Sequence, residues 1–165
     1  TFERTYNGLE LKAWDTAGFQ NVEVSGNVNK NAFGLTVSVE FELHQIAYLK
    51  SRINFGSFGF TPAYACSCVP DEYINFDPIE TIEIRVTDSQ SLEISDVTAN
   101  FTTNDYNGEQ ITISELFENR ADWHDGFRLD MTEYDNIPDT SIFEVKIILN
   151  SGTELIEQTQ EINFE

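Results

Sequence analysis

The sequence predicts an all-β protein, an antiparallel immunoglobulin-like β-sandwich with one short helix. Apolar and polar residues alternate over many short stretches, which is the period-two pattern of strands with one buried face. Residues that favour turns separate these stretches, and only one stretch carries the signals that begin a helix. About eight short strands at such intervals are typical of two packed antiparallel sheets.

The clearest strand lies in the middle of the chain. Ile82, Ile84 and Val86 alternate with Glu83 and Arg85, so the three aliphatic side chains should share one buried face. We interpret the segment from 64 to 86 as the crossing between an earlier and a later set of strands.

The longest alternation lies nearer the start of the chain and breaks in phase after His44, because Ile46 and Tyr48 then carry the apolar positions. A β-bulge near Gln45 would insert the extra residue, and a short helix over 40–51 is the alternative. His44 falls on the polar side and should face water. The apolar positions are Leu35, Val37, Val39, Phe41 and Leu43, and an earlier strand places Leu9, Leu11 and Ala13 on one face.

The single helix is predicted over about 113–119. Thr112 and Glu115 have the spacing of a capping box, and Ile111 and Leu116 have that of its hydrophobic staple. The neighbouring predicted strands have as apolar positions Leu92 and Ile94, then Val97, Ala99 and Phe101, and after the helix Phe127, Leu129 and Met131.

A hairpin is predicted to close the chain. Its first strand ends at the turn 150–153, where Gly152 can adopt a positive φ. The return strand has a polar middle, which is typical of an edge strand. The inward positions are Phe143, Val145, Ile147 and Leu149 on the first strand, and Ile156, Ile162 and Phe164 on the return.

Length and charge limit the classes of function. The 165 residues suit one domain, and 9 basic against 29 acidic side chains give a net charge of −20. This charge opposes binding to nucleic acid, which depends on Lys and Arg meeting phosphates. A solvated acidic surface is the simple interpretation, while a basic partner or a divalent cation is the alternative.

No apolar run reaches the ~18 residues of a membrane helix. The first residues, 1–4, lack the features of a signal peptide, so we expect that an exported protein would be represented here by its mature part. Asn100-Phe101-Thr102 fits the glycosylation sequon, although one such match is expected by chance.

The two cysteines, Cys66 and Cys68, leave three interpretations open. Residues two apart on a strand have Cα atoms about 6.6 Å apart, near the outer limit for a disulfide. They are therefore small buried thiols, a strained local disulfide, or part of a metal or redox site, although two ligands are too few for closed zinc coordination. No residue pattern indicates a cofactor.

Three parts of the sequence resemble a group of uncharacterised secreted lipoproteins of the Bacteroidetes type. Residues 64–70 look like the Ala-Cys-Ser loop of that group, 77–84 like its following strand, and 113–117 with 143–152 like its small helix and closing hairpin. The resemblance implies export, a lipid on an N-terminal cysteine, an immunoglobulin-like sandwich and no assigned activity. This chain shows no N-terminal cysteine, so we expect the anchor to be cut off or absent.

Two loops carry candidate binding residues. In the first, Trp123, His124 and Asp125 combine a ring that can stack on a sugar with groups that can bind a metal; the alternative is a turn with Trp123 in the core. In the second, Phe55 and Phe58 stand between glycines and could form a binding lip, or could fold back onto the core. Asp105, Asn107 and Glu109 could offer oxygens to calcium, or simply form a loop.

Two functions are compatible with these features. The first is a non-catalytic extracytoplasmic module at the bacterial cell surface, which binds a glycan, a peptide or a partner protein, or only spaces one, and reaches the membrane through an N-terminal lipid. The second is an acid-dependent, glycosidase-like hydrolase with paired carboxylates in a cleft. The absence of a catalytic motif favours the first.

Overall fold

The computed structural model describes residues 1–46, 73–105, 107–118 and 126–165. Most of these residues form strands, and the helical segments are short. The strands are β1 (Phe2–Asp15), β2 (Val22–Glu23), β3 (Asn27–Val28), β4 (Phe33–Gln45), β5 (Tyr73–Asn75), β6 (Ile79–Asp88), β7 (Ile94–Asp96), β8 (Phe101–Asn104), β9 (Gln110–Thr112), β10 (Gly126–Met131), β11 (Thr140–Leu149), β12 (Glu154–Gln158) and β13 (Ile162–Phe164); the helix is α1 (Ile113–Glu118), and 3₁₀ turns cover Lys30–Ala32 and Thr98–Asn100.

The strands form two sheets. Sheet 1 has the order β2-β1-β4-β10-β8-β9, with β5 also on β1, and sheet 2 has the order β3-β13-β11-β6-β7, with β12 also on β11. The pairings are antiparallel except for β1 with β5 and β13 with β3, which are parallel. The predicted all-β sandwich with one short helix is therefore confirmed, and it contains two short parallel pairings that the sequence did not indicate.

The core lies between the sheets. Phe33 of sheet 1 stacks on Phe143 of sheet 2 with ring centroids 5.0 Å apart, and Phe101 meets the same ring edge-on at 5.9 Å. The predicted alternation of the central strand is confirmed, because Ile82, Ile84 and Val86 are all buried. Such interlocking rings fix the spacing of the sheets.

The predicted capping box is present. Glu115 accepts a hydrogen bond from the backbone N–H of Thr112 at 2.8 Å, and Thr112 Oγ1 accepts one from the Glu115 N–H at 3.2 Å. The first of these bonds, with the Thr112 hydroxyl, holds the pKa of Glu115 below its ordinary value. Gly152 has a φ of 85°, as predicted for the hairpin turn.

The break after His44 was interpreted wrongly. β4 continues as a regular strand to Gln45, so neither a bulge at that residue nor a helix from residue 40 is present in the described part of β4. The irregularity lies on the partner strand, between Tyr6 and Gly8 of β1. The apolar alternation still holds up to Val39, and His44 is exposed, as predicted.

In two other strands, the prediction of which residues are buried is wrong. Leu92 adopts a φ of 60° in the turn before β7, and both Leu92 and Ile94 are exposed. Ile156 is also exposed, and its neighbour Leu155 packs against the core. The return strand divides into β12, which pairs with Glu144–Ile148, and β13, which pairs with Thr140 and Ser141, and the buried positions change phase between them.

Candidate functional site

The five candidate residues of the two predicted binding loops lie outside the described residues. These are Trp123, His124 and Asp125 before β10, and Phe55 and Phe58 between β4 and β5. Cys66 and Cys68 lie outside as well. Their proposed roles therefore stay predictions, and the candidate site described below is built from other side chains.

One row of side chains crosses the whole outer face of sheet 1. In β1 the residues that flank Trp14 in the outward phase are polar, whereas Leu9 and Ala13 on the other face are buried. Cross-strand pairing places one residue from each of six strands in this row. We call it the Trp14 row, and it consists of Glu23, Trp14, Gly34, Asp130, Thr102 and Thr112.

Trp14 is the only aromatic side chain in the Trp14 row, and it is half-buried. Its cross-strand partner on β4 is Gly34, which adds no side chain beside the ring. The indole nitrogen is covered, and no described residue accepts its hydrogen bond. A buried donor without a partner is costly to the folded state.

Polar groups follow Trp14 along the row. Arg128 Nε and Nη2 donate to Asp130 Oδ1 at 3.1 and 3.0 Å, and both side chains are partly exposed. Thr102 Oγ1 accepts a hydrogen bond from Gln110 at 2.7 Å. The row thus presents an aromatic ring, a planar ion pair and hydroxyl groups along one line, which are the groups that bind the faces and hydroxyls of sugars.

A second line of outward residues runs beside the Trp14 row and consists of Lys12, Thr36 and Arg128. Lys12 Nζ lies 2.9 Å from Glu10 Oε1. The hydrogen bond and charge of Glu10 raise the pKa of Lys12 above its ordinary value. Both cations on this part of the face are therefore already paired with carboxylates, so the face has no surplus of positive charge.

A cleft opens at one edge of the sandwich, where β1 and Val24 face the segment 158–162. Its volume is about 260 Å³. Its lining combines polar and apolar side chains. The lining residues are Leu11, Lys12, Ala13, Glu23, Val24, Gln158, Thr159, Gln160 and Ile162.

A second, wider cavity of about 590 Å³ is lined by residues 132–136 and Asn100. Glu133 and Asp135 lie on it, but both are exposed. A general acid of a glycosidase usually lies in a desolvated pocket, whereas both of these side chains are exposed to solvent. The geometry of this cavity therefore gives no support to the hydrolase alternative.

Asn100, the residue of the sequon, is 6% exposed. Its amide nitrogen donates to the Glu133 carbonyl oxygen at 2.7 Å and to Asn136 Oδ1 at 2.6 Å. The nitrogen atom that would carry a sugar is thus covered and donates two hydrogen bonds. Asn100 in the folded protein is therefore a structural residue that holds the 132–136 loop.

The residues suggested for calcium use their oxygens within their own loop. Asp105 Oδ1 accepts the backbone N–H groups of Asn107 and Glu109 at 2.9 and 2.7 Å, and Gly108 has a φ of 83°. This is the pattern of an Asx turn. Across the described ranges, no three His, Cys, Asp or Glu side chains are grouped closely enough to hold a metal ion.

Trp14 is not among the residues predicted from the sequence, although a signal for it exists. Glu10 and Lys12 alternate with the apolar Leu9, Leu11 and Ala13, and Trp14 continues the phase of the two polar residues. An aromatic residue in the outward phase of a polar strand face is itself an indication of a surface contact.

None of the described helices is long and apolar enough to cross a membrane. No family model matches the chain, and neither a curated protein nor a solved structure matches it.

Proposed function

We propose that this chain is a non-catalytic, extracytoplasmic binding module that binds a neutral glycan along the Trp14 row. The single observation that supports this function is the row itself, in which Trp14, the Arg128–Asp130 ion pair and Thr102 follow one another across sheet 1. Neighbouring strands are about 4.8 Å apart. Six strands therefore give a line of about 24 Å, long enough for several successive contacts with an extended chain.

The charges favour a neutral ligand. The net charge of −20 repels acidic polysaccharides and nucleic acids at long range. Lys12 and Arg128 are each paired with a carboxylate on the same face, so neither offers an unpaired cation for a sulfate or a uronic acid. An uncharged sugar needs only hydrogen-bonding groups and an aromatic surface, and the row supplies both.

The proposed location outside the cytoplasm has a different support. It rests on the resemblance of residues 77–84, 113–117 and 143–152 to secreted lipoproteins of the Bacteroidetes type. In this proposal a lipid anchors the protein to the cell surface, and the sandwich presents the outer face of sheet 1 to glycans there.

A glycan array with the purified chain, followed by calorimetry on the best neutral oligosaccharide, tests the proposal. We expect Trp14→Ala to abolish binding and Arg128→Ala to weaken it about tenfold, because the second change removes a planar donor without touching the ring. His44→Ala is the matched control, since His44 is exposed and lies ten residues from Gly34 on β4.

Three results would contradict the proposal. The first is an array without any neutral ligand. The second is unchanged affinity of a folded Trp14→Ala variant. The third is release of shorter sugars from the bound oligosaccharide, which would support the hydrolase instead.

A further inference from the structure

Two Asn-Gly pairs occur in the chain, and the fold places them in different surroundings. They are Asn7–Gly8 in β1 and Asn107–Gly108 between β8 and β9. The backbone nitrogen that follows an asparagine can attack the side-chain carboxamide of that asparagine, and glycine hinders this attack least because it carries no Cβ. Both pairs have the composition that the reaction needs, so their surroundings decide which of them reacts.

The first pair, Asn7–Gly8, is held by strand pairing. The flanking residue Tyr6 and Gly8 itself both pair with β4, and the side chain of Glu40 lies against Gly8. The attack requires rotation of the backbone between Asn7 and Gly8, which would break the ladder between β1 and β4. Asn7 is exposed, so it is the held backbone, and not burial, that suppresses the reaction here.

The second pair, Asn107–Gly108, lies in an open turn. Both residues are exposed, Gly108 has a φ of 83°, and a Cβ at Gly108 would meet nothing within 4 Å. The Gly108 N–H donates to the Asp105 carbonyl oxygen at 3.0 Å, so this hydrogen bond must open before the nitrogen can attack. Hydrogen bonds of exposed turns open at a small cost in free energy. The surroundings of the second pair therefore permit the reaction.

From this contrast we propose that Asn107 is a modification site, at which the folded protein deamidates spontaneously. The Gly108 nitrogen forms a bond to Asn107 Cγ while the bond from Cγ to Nδ2 breaks, and Nδ2 leaves as ammonia with the proton that Gly108 has lost. The product is a succinimide ring. Water then opens the ring at either of its carbonyl carbons and yields aspartate or isoaspartate. The nucleophile and the carboxamide are adjacent in the chain, so no second protein is needed.

The modification changes the turn that Asp105 organises. Asp105 Oδ1 accepts the backbone N–H groups of Asn107 and Glu109, and Asp105 Oδ2 accepts the Asn107 side-chain amide at 3.3 Å. Aspartate at residue 107 replaces this donor with a second negative charge, which Asp105 repels. Isoaspartate also lengthens the main chain, because the chain then runs through the side-chain carbons. We expect both products to loosen the turn and to leave the core intact.

Incubation of the purified chain at mildly alkaline pH, followed by proteolysis and mass spectrometry, measures the reaction at both pairs. The peptide that contains Asn107 should gain about one mass unit, as replacement of an amide by a carboxyl group requires. We expect this gain to be at least about tenfold faster at Asn107 than at Asn7. Fragmentation of the modified peptide should find both aspartate and isoaspartate, and the rate should rise with pH because the attacking nitrogen must lose its proton.

The same protein unfolded in guanidinium chloride is the matched control. Without the fold, the two Asn-Gly pairs have similar surroundings, so their rates should agree within about threefold. Two variants identify the origin of the acidic species that anion exchange separates from the folded protein. Asn107→Ser removes the carboxamide that is attacked and should abolish this species, whereas Asn7→Ser should leave it unchanged.

Several results would overturn the proposal. They are an unmodified Asn107 in the folded protein, equal rates at Asn7 and Asn107 in the folded protein, and the same acidic species in the Asn107→Ser variant. Aspartate without isoaspartate would also contradict it, because opening of a succinimide yields both. These results concern the turn between β8 and β9 and do not decide whether the Trp14 row binds a glycan, so the two proposals can fail separately.

Discussion

The outer faces of the two sheets both carry paired charges, but they differ at the indole N–H of Trp14. On sheet 2, Lys146 Nζ lies 2.8 Å from Glu83 and 3.4 Å from Glu154, and Arg85 shares Glu83 at 3.1 Å. Gln158 likewise donates to Glu144 at 2.7 Å across two strands. On sheet 1, the Trp14 ring has a buried N–H without a described acceptor, and glycine stands beside it.

This difference supports the proposal that the outer face of sheet 1 binds a ligand. Cross-strand ion pairs stabilise a sheet modestly and leave few groups to recognise anything else. An unsatisfied ring nitrogen beside a glycine contributes nothing to stability. We therefore infer that sheet 2 is the scaffold of the molecule and that sheet 1 presents its binding surface.

The largest expected effect tests sheet 2 as the scaffold. Ile82 of β6 is 2% exposed, so Ile82→Asp places an unpaired charge in the core and should destabilise the protein by about 2–5 kcal/mol. Thr81→Asp, on the outer face of the same strand, is the control and should cost much less. Urea unfolding measures both, and equal midpoints for the two variants would show that the assigned faces are wrong.

A smaller effect is expected for a glycine of sheet 1. A Cβ on Gly126 would lie 2.9 Å from the carbonyl oxygen of Val37 on the neighbouring strand. Gly126→Ala should therefore force β10 away from β4 and cost about 1–3 kcal/mol. Gly26→Ala is the control, since a Cβ there meets nothing within 4 Å. Indistinguishable melting temperatures of the two variants would contradict the close approach of β10 and β4.

A pH-dependent effect should appear at the turn between β6 and β7 of sheet 2. Hydrogen bonds from the Gln90 N–H at 2.8 Å and the Ser91 hydroxyl at 2.7 Å hold the pKa of Asp88 below its ordinary value. Because this carboxyl has a lowered pKa in the folded state, its stabilising effect is complete above the unfolded pKa of about 4. The effect disappears as the pH falls through the folded pKa.

Asp88→Asn isolates this effect from the other carboxyls of the chain. The wild-type protein should be more stable than the variant at pH 7, and the difference should close below about pH 4. Urea unfolding of both proteins at several pH values measures it. A difference that stays constant from pH 7 to pH 2 would show that ionisation of Asp88 does not stabilise the turn.

The last prediction is that neither sheet binds nucleic acid. The protein should not retain an oligonucleotide in a mobility-shift assay at physiological salt, because the net charge is −20 and phosphate binding requires clustered cations. Lys12, Arg85, Arg128 and Lys146 are each paired with carboxylates. Micromolar binding would contradict this account of both faces.

Local rules were enough to predict the buried strands and the helix. Ile82, Ile84 and Val86 alternate with polar residues and are buried, because alternate side chains of a strand lie on the same side of its sheet. Thr112 and Glu115 form the predicted capping box, because its partners are only three residues apart. These features depend on contacts within one element, which the sequence shows directly.

Features that depend on another strand were not predictable in this way. The bulge near Gly8 is a property of the β1–β4 pair, and the sequence of β4 suggested it at Gln45 instead. Leu155 packs against the core and Ile156 is exposed because the pairing with β11 places Leu155 opposite the buried Ile147 and Ile156 opposite Lys146. For the candidate site, the neighbouring residues in the sequence indicated Trp123 and not Trp14. The Trp14 row could not be predicted, because its members come from six strands and are brought together only by strand pairing.

The pairing of β3 with β13 has a consequence for synthesis of the protein. Val28 of β3 is 1% exposed, and its neighbour in the sheet is Phe164. Lys30 similarly donates to the Ile137 carbonyl oxygen, 107 residues further along the chain. The first strands are synthesised long before these partners, so part of their core surface stays uncovered until β13 is available. Folding should therefore complete only when β13 can pair, and slowly, as for other chains rich in long-range contacts.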